Sequence, residues 1–82
     1  MYEKIEDKIS VDVVFRASER VEVKKFFWDK KIYEISSLNL WHRMNRGNEF
    51  IYLFSVSNDT ATFNIRFHTS DLSWWLESVY WD

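Results

Sequence analysis

The stretch Glu49-Phe-Ile-Tyr-Leu-Phe-Ser-Val-Ser-Asn-Asp-Thr-Ala-Thr-Phe-Asn-Ile-Arg-Phe-His-Thr69 decides the fold class. Aromatic and β-branched residues alternate with polar ones on both sides of Asn58-Asp59, the pattern of two half-buried strands joined by a turn. Asn and Asp tolerate positive φ, so Asn58-Asp59 is expected to form a two-residue hairpin turn. Counting outward pairs Val56 with Ala61, Phe54 with Phe63, Tyr52 with Ile65 and Phe50 with Phe67, all on one face. The other face then reads Ser55–Thr62, Leu53–Asn64, Ile51–Arg66 and Glu49–His68. Apolar residues collect on one side and polar residues on the other, as a sheet with one buried face requires.

The same period continues outward from this hairpin. Ile9 to Arg16 reads as a first strand, followed by a polar turn over Ala17–Arg20. Val21 to Trp28 forms a second strand, with Asp29-Lys30 as its tight connection. A third strand is expected from Lys31 towards Trp41, and a loop over Arg43–Asn48 around the single glycine, Gly47. Around Asp29-Lys30, Phe27 falls opposite Ile32, Phe26 opposite Tyr33 and Lys25 opposite Glu34, so apolar residues occupy both faces. Ser70 to Trp81 admits helical spacing through Leu72, Trp75, Leu76 and Val79. The adjacent tryptophans and the Val-Tyr-Trp ending favour a strand. The first eight residues are expected to be a loose or short helical extension. The sum is one all-β domain over residues 1–82, an antiparallel meander of about six strands curled into a barrel-like sheet.

Composition narrows what such a domain does. Eighty-two residues make a single small core. With no cysteine, neither disulfides nor thiolate zinc sites can hold it together. Aromatic residues reach 20% of the chain, more than an interior of this size needs, so some rings are expected at the surface to meet a partner. The charged amino terminus and the lack of a long apolar run point to a cytoplasmic protein of a reducing, bacterial cytosol with no membrane association.

Chemical sites are sparse. One glycine cannot build a phosphate loop, and no cofactor is expected. His42 and His68 are the only histidines, and no ligand spacing joins them into a metal site. His68-Thr69-Ser70-Asp71 carries the side-chain types of a hydrolytic triad, but neighbours in a turn do not converge as a triad does. The expectation is therefore a non-catalytic protein, with catalytic, cofactor and metal residues all absent.

Two binding functions remain. The first is a protein-interaction module, with Trp74, Trp75 and Trp81 as candidate anchors for an unknown protein or for a second copy. An uncovered edge strand gives such a homodimer a second route. The alternative is nucleic-acid binding. Between Arg16 and Arg46 eight basic residues face four acidic ones, although the whole chain carries −2. Trp41, His42, Arg43 and Arg46 set a ring beside cations, and Lys24, Lys25, Lys30 and Lys31 extend the surface.

The run Phe26-Phe27-Trp28-Asp29-Lys30-Lys31-Ile32-Tyr33-Glu34-Ile35, with Trp41 and Trp74-Trp75-Leu76-Glu77-Ser78-Val79-Tyr80, resembles a family of short uncharacterised bacterial all-β proteins. Their pattern is an aromatic-x-Trp, a basic turn, a Tyr-x-aliphatic strand, a later Trp and a terminal Trp-x-Leu-x-x-Val. The matching positions here are Trp28, Tyr33, Trp41, Trp74, Leu76 and Val79. Some members are encoded near translesion DNA polymerase genes, so the resemblance implies a DNA-repair setting.

Overall fold

A computed structural model describes residues 1–17 and 20–82. Their strands are β1 (Tyr2–Arg16), β2 (Arg20–Trp28), β3 (Lys31–Glu34), β4 (Ser37–Arg46), β5 (Glu49–Ser57), β6 (Ala61–His68) and β7 (Ser73–Trp81). They form one antiparallel sheet in the order β3-β2-β1-β7-β6-β5-β4. The all-β single domain is as expected, but it has seven strands and does not close into a barrel. β3 and β4 follow one another in the chain and lie at opposite ends of the strand order.

Local chemistry sets the turns. Asp29 (φ 52°) and Lys30 (φ 64°) are both left-handed, the conformation of a type I′ turn, which matches the twist of the flanking strands. That turn fixes the expected register of β2 and β3: Phe27 with Ile32, Phe26 with Tyr33, Lys25 with Glu34. The β4–β5 turn is equally short. Gly47 takes φ +62° and Asn48 does not, which fits a type II′ turn with glycine leading. The loop expected over Arg43–Asn48 is thus a two-residue turn, with β4 reaching Arg46.

The β5–β6 register departs from expectation by two residues. Val56 pairs with Phe63, Phe54 with Ile65 and Tyr52 with Phe67. The reason lies in Asn58, whose Oδ1 accepts from the Thr60 N–H (2.8 Å), the Thr60 hydroxyl (2.9 Å) and the Ala61 N–H (3.1 Å). Its side chain organises a longer connection and neither Asn58 nor Asp59 takes positive φ. A shift of two preserves the faces, and Tyr52, Phe54, Val56, Ala61, Phe63, Ile65 and Phe67 still share one side, but Phe50 is exposed and Ile51, expected on the wetter face, is buried.

Two further expectations change. The strand drawn from Lys31 to Trp41 breaks at Ile35-Ser36. There the Ile35 N–H donates to Lys24 O (3.0 Å) and the Ser36 N–H donates to Ser57 O (2.9 Å), so the chain leaves β2 and joins β5. The amino-terminal residues are neither loose nor helical, since Tyr2 to Lys4 pair with Tyr80 to Ser78 in the first half of β1. Ser73–Trp81 is a strand, as favoured. The turn expected over Ala17–Arg20 falls on Ser18 and Glu19, outside the described residues.

β1 serves two neighbours in succession. Its first half, to Ile9, pairs with β7, and its second half, from Ser10, pairs with β2. A bulge at Ile5-Glu6, with Glu6 at φ 59°, interrupts the first ladder. The second half carries β2 and β3 over the face of β6. Phe63, fully buried, meets Phe26 edge-on at 4.9 Å and Tyr33 at 5.6 Å, with Trp81 edge-on at 6.2 Å. Around them pack Val56, Ala61, Ile65, Leu76 and Val79, all fully buried. The doubly apolar β2–β3 hairpin is thereby explained: Phe26 and Tyr33 face inward, whereas Phe27 and Ile32 are exposed.

The opposite face of β6 is a polar network. Arg66 bridges Glu6 (3.2 Å) and Glu77 (2.9 Å), lies over the Trp75 ring, and donates from Nε to His68 Nε2 at 2.8 Å. His68 then donates from Nδ1 to Glu49 (3.4 Å). Ser70 Oγ donates to Glu49 (2.8 Å), and Asp71 accepts from Ser73 (2.7 Å). These hydrogen bonds hold both carboxyls below the usual range, Glu49 through Ser70 and Asp71 through Ser73. Ser70, His68 and Asp71 are each committed to other partners, so the triad-like string builds a turn.

Candidate binding site at the open edge of β4

β4 ends the sheet, paired with β5 alone, and all ten of its residues are exposed. Its apolar members are Leu38, Leu40, Trp41 and Met44, and Leu40 is 64% exposed. Edge strands are ordinarily blunted by charged residues, lysine above all, by proline, by bulges or by brevity. β3, at the other edge, is four residues long and flanked by Lys30. β4 has neither lysine nor proline, and a bulge near Asn39 is its only irregularity.

The turn dictates which backbone groups β4 leaves open. In a two-residue hairpin the closing pair, here Arg46 and Glu49, exchanges hydrogen bonds, and alternate pairs do so thereafter. Met44 and His42 therefore bond to β5, while Asn45, Arg43 and Trp41 direct N–H and C=O away from it. Phe50, opposite Asn45, confirms the phase: it is bonded on its β6 side, where Phe50 O accepts from the Thr69 N–H (3.2 Å).

Beside this edge lies a cleft of about 810 Å3 between the far end of the β1–β2 hairpin and the β4–β5–β6 face. Phe15, Trp41, Tyr52 and Phe67 supply its walls. Trp41 stacks on Tyr52 (6.1 Å, 18°), and Tyr52 continues to Phe54 (6.4 Å, 13°). The outermost rings are open: Trp41 is 48% and Phe15 63% exposed. A second, smaller recess runs on between Val21–Lys24 of β2 and the Ile35–Leu38 segment, again reaching Trp41. β3 covers β2 only from Lys25 onward, so among the described residues the earlier part of β2 has no strand on that side.

The rim is basic. Arg16 makes two hydrogen bonds to Glu22 (2.8 and 3.1 Å), and Lys24 reaches the same carboxylate at 2.9 Å. Those contacts, Arg16 first and then Lys24, lower the Glu22 carboxyl to about 2. A depressed carboxyl favours the folded chain above its unfolded value, and that contribution disappears as pH falls towards 2. Arg43 lies over the Phe50 ring at 4.5 Å, and no ion pair joins it to a carboxylate among the described residues.

The expected site residues are dispersed. Trp74 belongs to the core, stacked on Phe67 (4.4 Å) and Phe54 (5.7 Å), and is not an exposed anchor. Trp75 points to the opposite face, half-buried beneath Arg66, with its indole donating to Ser73. Trp81 is half-buried against Phe63 and donates to Glu3 (3.0 Å). These three do not form one surface. Trp41 and Arg43 share the cleft side of β4, His42 borders its mouth, and Lys24 stands on the facing strand. Arg46 lies at the β4 turn and Lys25 pairs with Asp12 (3.8 Å). Lys30 and Lys31 sit at the β2–β3 turn, the far end of β3 from the junction with β4.

Phe15, Arg16, Glu22 and Tyr52 escape the sequence-based list. Their only signal is alternation, which marks Phe15 and Tyr52 as inward and does not reveal that the inward face stays open at this end. Comparison with protein-family models, with curated proteins and with solved structures gives no match.

Proposed function

We propose that the protein is a protein-interaction module that takes its partner, including a second copy, by strand addition on β4. One observation carries this reading: a ten-residue edge strand, exposed throughout, that presents Leu38, Leu40, Trp41 and Met44 and carries neither lysine nor proline. Main-chain pairing supplies affinity in such contacts, and pockets for alternate side chains supply selectivity. The aromatic cleft beside Trp41 is such a pocket.

Arg43→Pro tests it. Proline removes an N–H directed away from β5 and leaves the β4–β5 ladder intact, so folding survives while a docked strand loses a hydrogen bond. Light scattering over a concentration series, with capture of partner proteins, reads the result. Association by the native chain that disappears in the variant, at an unchanged circular dichroism spectrum, is the expected outcome. A native chain that neither self-associates nor captures a partner, or a variant that associates as well, contradicts it.

Nucleic-acid binding has its own favouring observation, the half-exposed Trp41 ring stacked parallel to Tyr52 beside Arg43. Bases stack on such platforms, and the family resemblance points towards DNA repair. Salt-sensitive anisotropy of a labelled single strand, abolished by Arg43→Glu with Arg46→Glu, is its signature. The dispersal of Lys25, Lys30 and Lys31 away from the ring places it second.

A further inference from the structure

We propose that the gap between β2 and β4 receives an extended acidic peptide, which enters as an additional strand on β4 with alternate apolar side chains in the aromatic cleft. The proposal rests on the strand-addition reading and specifies the partner's chemistry.

Three features of the gap select this occupant. The first is shape. Both long sides are strands, β4 on one and the uncovered start of β2 on the other, joined at one end by Ile35-Ser36. An extended chain fits between two strand edges, and Trp41, Arg43 and Asn45 offer it successive outward backbone groups. A segment of about five or six residues spans them.

The second is periodicity. A strand presents alternate side chains to opposite faces, so a partner bound to β4 directs every other residue over Trp41, Tyr52 and Phe67. Those rings, with Phe15 above, make a contact surface for aliphatic or aromatic side chains. The intervening residues face the solvent side of β4.

The third is charge. Arg16, Lys24 and Arg43 line the gap against one carboxylate among the described lining residues, Glu22, which Arg16 and Lys24 already hold. The gap is basic on a chain whose net charge is −2. An acidic segment is drawn to it, and a basic one is repelled.

The test is fluorescence anisotropy of a labelled peptide whose alternate, cleft-facing positions carry valine or phenylalanine at the centre and glutamate at either end, beside Arg16 and Arg43, against a counterpart with lysine for glutamate. Binding of the acidic peptide at least about tenfold tighter, weakened by added salt, is expected. Trp41→Ala, Arg43→Glu and Arg43→Pro should each reduce that affinity by about tenfold or more. Equal binding of the two peptides, or full binding to Arg43→Pro, overturns the proposal. If neither peptide binds while Arg43→Pro still abolishes association of the native chain, the acidic-peptide assignment falls and strand addition stands. A dimer in light scattering that the acidic peptide does not dissociate assigns the edge to a second copy and likewise overturns it. If Arg43→Pro leaves every association unchanged, strand addition falls as well.

Discussion

Replacing Phe63 by alanine is expected to cost about 3–5 kcal/mol and to leave much of the protein unfolded at room temperature. Phe63 is fully buried, and it is where the β2–β3 hairpin rests on the main sheet, through Phe26 and Tyr33. Truncation removes the transfer energy of the ring and opens a cavity between the two packed layers. A domain with about 0.05–0.15 kcal/mol of stability per residue has little to spare against such a loss. Urea denaturation followed by tryptophan fluorescence measures it. A loss below about 1 kcal/mol would mean that the hairpin does not depend on this contact.

The second large effect separates two tryptophans that look alike in the sequence. Trp74→Ala should destabilise by about 3–5 kcal/mol, because the indole stacks on Phe67 and Phe54 inside the core. Trp41→Ala should cost about 1 kcal/mol or less, since its ring is half exposed at an edge, and should instead weaken partner binding. Denaturation and binding measured on both variants decide the assignment. Stability lost through Trp41 and binding lost through a folded Trp74 variant would reverse it.

Much of the fold is legible in the chain because period-two patterning and turn chemistry agree. Asp29-Lys30 sets the β2–β3 register residue by residue, and Glu49–His68 declares which face is buried. Asn58 shows the limit of that approach. Asn in a turn has two uses, positive φ or side-chain acceptor, and choosing the second lengthens the connection and moves every partner by two. The break at Ile35-Ser36 is less legible, because its cause is long-range: Ser36 pairs with Ser57 and Ile35 with Lys24, contacts that local propensity does not encode.

The site is harder to read than the fold for the same reason. Alternation tells inward from outward but not whether anything covers the inward face. Tyr52 and Phe63 carry the same signal, yet one lines an open cleft and the other is sealed beneath β2 and β3. The carboxy-terminal tryptophans invert this. Their number suggests a surface, whereas β1 on one side and β6 on the other make β7 an internal strand. Leu38, Leu40, Trp41 and Met44 are exposed together on β4, which strand order alone makes an edge.

β4 offers unpaired backbone groups at Trp41, Arg43 and Asn45. Amide hydrogen exchange followed by NMR on the free protein tests it residue by residue. Slow exchange is expected at His42 and Met44, fast exchange at Trp41, Arg43 and Asn45, and protection of those three when a strand docks. Uniform protection from Trp41 to Asn45 in the free monomer would contradict it, because the edge would then already be paired.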